Sequence, residues 1–266
     1  MTNEGQPDNP ASDIPDDIVG PERTLLQMFK LFVEPEVKRR QLSGSLPDPF
    51  TVTKAQVLFF EGRSPEVRLN DEVRISLLAV APRAIQKGEP ISLSELQQML
   101  IKSSELDITD ADAGHFTAIA FNDRWFMTFD FRQNKLRAST LVEKAEQFCS
   151  SADHALSQKH FGPAIDNLFS ACELAAKARL ITSAMVKSNA KTHGPIHAGI
   201  NIWAKLGNVD RDFVEMFNKL SKDRETARYA AGKDDDLSGL IGSDMIAKAR
   251  AEISELKIRL KRFDDG

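Results

Sequence analysis

Cysteine is nearly absent from this chain. Its 266 residues include two, Cys149 and Cys172, and no CxxC pair exists to hold zinc or run disulfide exchange. Tyrosine and tryptophan are scarce as well, at one and two residues against 16 phenylalanines. Phenylalanine fills cores, whereas base-stacking surfaces and interface hot spots also draw on Tyr and Trp. No run of about 18 apolar residues occurs, so no membrane-spanning helix is expected. The opening residues, Met-Thr-Asn-Glu-Gly-Gln-Pro-Asp, lack the basic and apolar regions of a secretory signal. The reducing cytoplasm is the expected location.

What is present is an ordinary globular balance, 41% hydrophobic and 28% charged, with a formal net charge of −4. The charge is unevenly spread. Residues 1–134 carry 14 Lys+Arg against 21 Asp+Glu, giving −7, while residues 135–266 carry 21 against 18, giving +3. Glu4, Asp8, Asp13, Asp16 and Asp17 crowd into the first 20 residues. With three prolines and almost no large apolar side chain there, residues 1–20 read as a disordered acidic lead.

Residues 21–134 read as a small α+β domain. Pro21 opens a helix with Leu25, Met28, Phe29 and Phe32 on one face, expected to stop before Pro35. Residues 34–50, with Pro35, Gly44, Pro47 and Pro49, read as a loop. Within it Lys38-Arg39-Arg40 is either solvated surface or a phosphate contact. Alternating apolar residues over 55–80 predict strands. Ser92 with Glu95 forms a capping box for a helix over about 93–103, and the acidic stretch 104–114 reads as an exposed loop. The strongest β signal is 115–131, a hairpin turning at Asn122-Asp123, with Trp125, Met127, Phe129 and Phe131 on its more buried face. No catalytic constellation is visible in this half, whose one histidine is His115.

Residues 135–266 read as a bundle of four or five amphipathic helices with short connections. Leu141, Ala145, Phe148, Ala152 and Ala155 mark the first. The second runs from about Pro163 to Ile181 and is apolar nearly all round. A third carries Ile196, Ile200, Trp203 and Leu206, and ends at Gly207. Asp212 and Glu215 make a capping box for a fourth, with Phe213, Phe217 and Leu220 inward. An acidic loop over 232–242 precedes a final helix, about 243–263. Because a helix apolar on every side must be buried on several sides, the second helix predicts a homodimer through the bundle.

Arg224 is the leading candidate for chemistry. It falls at the next inward position after Phe213, Phe217 and Leu220, so its guanidinium is either aimed at the core or snorkels near the helix end. Glu173 either faces a polar centre, where Arg224 meets it, or pairs with Lys177 one turn away. His193 and His197 are four residues apart. Gly194, Pro195 and Ile196 between them supply no carboxylate, and Pro195 argues against one helix spanning both, so no metal site is expected. No cofactor is expected either.

Two stretches resemble a known family. Ala155-Leu156-Ser157-Gln158-Lys159-His160-Phe161-Gly162-Pro163-Ala164, continuing through Asn167–Ala178, is similar to the paired first helices of HEPN domains. Phe217–Leu220 leading to Arg224-Glu225-Thr226-Ala227-Arg228-Tyr229 resembles that family's Arg-containing helix. The likeness covers about residues 138–263. It implies an all-α bundle of four to five helices that commonly dimerises and either cleaves RNA without metal or binds RNA, nucleotide or protein. Catalytic members place a His after the Arg with four to six residues between them. Here Tyr229 stands at the first such position and no His follows to residue 266. A phenol with a pKa of about 10 is a poor general base. The resemblance therefore implies a non-catalytic, dimerising binder of RNA, nucleotide or protein, with Arg224, Arg228, Glu173 and Lys177 as binding residues. The alternative is a toxin or defence ribonuclease in which Arg224 and Tyr229 replace the usual pair.

Overall fold

The computed structural model describes residues 20–121, 124–190, 192–229 and 237–260. The chain divides into two compact units between Phe131 and Arg132. Residues 1–19 of the expected acidic lead, the hairpin tip Asn122-Asp123 and residues 232–236 of the expected loop 232–242 lie outside the described residues.

The first unit is a helix on a small sheet. Helix α1 (Pro21–Met28) passes through a π turn (Phe29–Val33) into α2 (Glu34–Leu42). The helical path thus continues across Pro35 rather than stopping before it. The π turn shifts the hydrogen-bonding register, and Pro35 falls in the first turn of α2, where a missing N–H costs nothing. The expected loop 34–50 is therefore helical as far as Leu42. Strands β1 (Lys54–Phe59) and β2 (Glu66–Leu69) follow. They join β5 (Gly114–Phe121) and β6 (Arg124–Asp130) in an antiparallel sheet ordered β2-β1-β5-β6. Strands β3 (Ile75–Val80) and β4 (Leu100–Leu106) form a separate antiparallel pair.

Register explains the core. Ala55 pairs with Ala118 and Val57 with Phe116, so these four lie on one face, where Met28 and Val33 cover them. On the opposite face Gln56 pairs with Thr117 and Leu58 with His115. Gln56 Nε2 donates to Thr117 Oγ1 (3.2 Å), and His115 Nδ1 meets the same hydroxyl at 3.1 Å. Buried polar groups are tolerated there because they satisfy one another.

Three further expectations need correction in this unit. Helix α3 covers only Leu93–Gln98, and the chain then enters β4. The Ser92–Glu95 capping box does form, with Ser92 N donating to Glu95 Oε2 (2.9 Å) and Glu95 N to Ser92 Oγ (3.3 Å). Pairing with β3 ends the helix early, a tertiary outcome that helical periodicity does not reveal. Residues 104–114 are not an exposed loop. Asp110 is buried and takes a bidentate grip from Arg68 at 2.5 and 3.0 Å, and Ala111 and Ala113 join the interior. The aromatic face of β6 is only partly covered, by Phe29 against Trp125 and Phe59 against Phe131, while Phe129 stays half exposed.

Among the described residues the second unit has five helices: α4 (Lys135–Ser157), α5 (Phe161–Thr182), α6 (His193–Lys205), α7 (Arg211–Tyr229) and α8 (Ser243–Leu260). Helix α5 is the axle, packed by the other four. Ile165, Leu168, Phe169, Ala171, Cys172, Ala175, Ala176 and Ala178 are all within 2% of complete burial inside one chain. The apolar surplus from which a dimer was expected is thus covered by the bundle itself. The α7 cap is Asp210, whose Oδ1 accepts from Phe213 N at 3.1 Å, not the expected Asp212.

Candidate functional site

Helix α5 carries a polar stripe along a mostly buried surface. Asp166, Ser170, Glu173 and Lys177 are spaced by four, three and four residues, which stacks them along one face. All four are partly exposed. The N-terminal part of α6 and the C-terminal part of α7 bring their side chains to this stripe.

At one end sits a three-membered charge cluster. Arg224 Nε donates to Asp166 Oδ1 at 2.8 Å. Arg228, one turn further along α7, donates through Nε to the same oxygen (2.9 Å) and through Nη2 to Oδ2 (2.7 Å). Burial alone pushes the Asp166 carboxyl up, but the hydrogen bonds from Arg228 and Arg224 outweigh it and hold it below the ordinary value. Two cations meet one anion, leaving an excess positive charge on a partly open surface. The Arg224 guanidinium also lies over the Phe169 ring, 4.5 Å from its centroid, which fixes its plane. Tyr229 is 78% exposed, and its hydroxyl hydrogen-bonds Arg228.

Further along, Glu173 Oε1 contacts His193 Nδ1, and Lys177 Nζ donates to the Ala190 carbonyl. Arg224 therefore meets Asp166, two turns before Glu173, while Glu173 has an imidazole partner. Burial lowers the Lys177 pKa. His193 and His197 do share one helix, because Pro195 occupies the first turn of α6, where proline is accommodated. They do not converge on a shared ligand position. His193 lies edge-on to Phe169, whereas His197 stacks on Phe217 at 4.2 Å and donates through Nδ1 to Asn218 Oδ1 (3.3 Å). The His197 Nε2 is sealed from solvent and has no partner among the described residues. Also among the described residues, no group of three His, Cys, Asp or Glu is placed to hold a metal ion. Cys149 and Cys172 are both buried, and burial raises both thiols, so neither is a nucleophile.

The fully buried charge of this unit is a different arginine. Arg179 and Glu252 are 3% and 2% exposed at their side chains, with Nε and Nη2 of Arg179 each 2.7 Å from Glu252 Oε1. Burial raises the Glu252 carboxyl in spite of Arg179. Sequence reasoning missed both this pair and Asp166. A signal for Asp166 did exist: it is an acid on an apolar helix, in step with Glu173 and Lys177.

No helix among the described residues is long and apolar enough to cross a membrane. No curated protein matches the chain. The C-terminal half, a five-helix bundle with Arg224 beside its polar stripe, matches the HEPN domain family over residues 138–257.

Proposed function

We propose that the helical half binds the phosphate backbone of RNA through Arg224 and Arg228 without cleaving it, and that it pairs with a second copy of the chain in the cytoplasm. The observation that carries this reading is the Arg224 guanidinium, held over Phe169, anchored at Nε and partly open to solvent. A planar fork held in this way suits a phosphate oxygen pair. Cleavage of RNA needs a group that exchanges protons near neutrality. The Arg-containing helix offers only the phenol of Tyr229, and His197 hides its free nitrogen in an aromatic stack.

Dimerisation is supported by the family likeness and by Ile202 on α6 and Leu206 at its C-terminal cap, one turn apart and exposed at 47% and 66%. The cytoplasm is supported by two free, buried thiols.

A second reading, a metal-independent endoribonuclease, is favoured by His193. This exposed imidazole, paired with Glu173, edges onto the same Phe169 that carries Arg224. Labelled RNA incubated with the protein in EDTA separates the two. Binding with intact RNA is the expected result. Cleavage that is lost on Arg224→Ala, His193→Ala or Tyr229→Phe would instead establish the nuclease.

A further inference from the structure

The forks of Arg224 and Arg228 are pointed at a carboxylate of this same chain. Arg228 presents its Nε and Nη2 edge to the two oxygens of Asp166, at 2.9 and 2.7 Å. That edge is the one a phosphate would take. Arg224 spends its Nε on the same carboxylate at 2.8 Å. Asp166 thus stands where a ligand's anionic oxygens would stand, and it is ionised under ordinary conditions because both arginines hold its pKa down against the effect of burial.

We propose that Asp166 is an internal anion that competes with ligand phosphate for the arginine pair and so limits how strongly the site binds. The inference rests on the reading of Arg224 and Arg228 as phosphate ligands. Its physical content is a difference in charge. With Asp166 ionised the cluster carries one excess positive charge, and without it two. An isolated phosphate must displace a carboxylate that is tethered and already in place. A polyanionic strand brings several charges at once and can share the cluster. The stripe therefore discriminates in favour of extended polyanions.

The test is fluorescence anisotropy with a fluorescein-labelled oligouridylate, measured at low and at physiological salt. It compares the wild type with Asp166→Asn, Arg224→Ala and Asp153→Asn. Asp153 pairs with Arg250 on the surface and removes the same charge elsewhere. Asparagine keeps the size and one acceptor of Asp166, and thermal melts check that the variant folds. Asp166→Ser serves if Asp166→Asn does not.

Asp166→Asn is expected to tighten binding about three- to tenfold at low salt, the effect of one unit charge a few ångströms away at the water-like dielectric of a partly exposed site. The salt dependence should steepen by close to one phosphate contact, and Asp153→Asn should change little. If Asp166→Asn binds as the wild type does or more weakly, while Arg224→Ala loses binding, the competitor role is overturned and the phosphate reading stands. If neither the wild type nor Asp166→Asn binds the probe, both fall together.

Discussion

Two arginines of the helical half look alike in the sequence and are opposite in kind. Arg179 is sealed into the bundle with Glu252, so Arg179→Ala strands a buried carboxylate and should cost about 3–5 kcal/mol. Arg224 shares a partly exposed carboxylate that Arg228 continues to hold. Arg224→Ala should therefore cost only about 0–1 kcal/mol. Chemical denaturation of both variants checks the contrast, and equal losses would mean that the burial difference does not govern stability. Arg224 itself was legible, because it falls in step with Phe213, Phe217 and Leu220. Its partner was not. Asp166 is 58 positions away, and no periodicity within α7 says which acid of another helix will meet it. Arg179 was hidden for a related reason: at the end of an apolar helix a charge reads as an exposed terminus unless its acceptor is known.

At the scale of elements, local signals were read well and tertiary ones poorly. The helices of the bundle and the β5–β6 hairpin follow from periods of 3.6 and 2. The continuation of α1 through a π turn into α2 and the early end of α3 do not, because hydrogen-bond register and strand pairing decide them. The triplet Lys38-Arg39-Arg40 shows the consequence. It sits on α2, where Arg39 and Arg40 grip Glu36 at 2.7 and 2.6 Å and Arg40 reaches Glu72. Both arginines are thus engaged by carboxylates of the same chain. The hydrogen bond from Arg39, then that from Arg40 against the opposing effect of burial, hold the Glu36 carboxyl at about 2, below its ordinary 4.5. A carboxyl depressed in the folded state stabilises above its unfolded pKa, and that contribution is lost as pH falls through the folded one. Thermal melts of the full chain should thus drop between pH 4.5 and about 2, and Glu36→Gln should show a shallower drop than the wild type. A parallel pH profile for the variant would contradict the assignment.

The approach of α5 to α7 makes a second prediction at this scale. A Cβ on Gly162 would stand 3.0 Å from the Ala227 carbonyl oxygen. Alanine in place of a helical glycine ordinarily gains about 1 kcal/mol. Here Gly162→Ala should be no more stable than the wild type, and Gly162→Val should lose about 1–3 kcal/mol as α7 is pushed outward. A clear rise in melting temperature for Gly162→Ala would show that α7 yields freely at this point.

For the whole molecule, assembly cannot be read from α5. The face that argued for a partner is consumed inside one chain, as Ala171, Ala175 and Ala178 show by their complete burial. Sequence reasoning counted apolar faces correctly but had no means of counting neighbours. Among the exposed apolar residues that remain are Ile202 on α6 and Leu206 at its C-terminal cap. Light scattering of the full chain should give twice its 29.6 kDa mass, and Ile202→Glu with Leu206→Glu should return it to the monomer. A wild type that stays monomeric at micromolar concentration would remove dimerisation from the account.

The central claim is that Arg224 presents its guanidinium to RNA phosphate and that the RNA is held without being cleaved. Its most direct test is the affinity of the wild type and Arg224→Ala for labelled oligouridylate in EDTA, with the RNA recovered and sized after each titration. The account predicts full-length RNA throughout and an affinity about 10- to 100-fold lower for Arg224→Ala, the worth of a charge-assisted hydrogen bond. Equal affinities for the two proteins, or shortened RNA from the wild type alone, would contradict it.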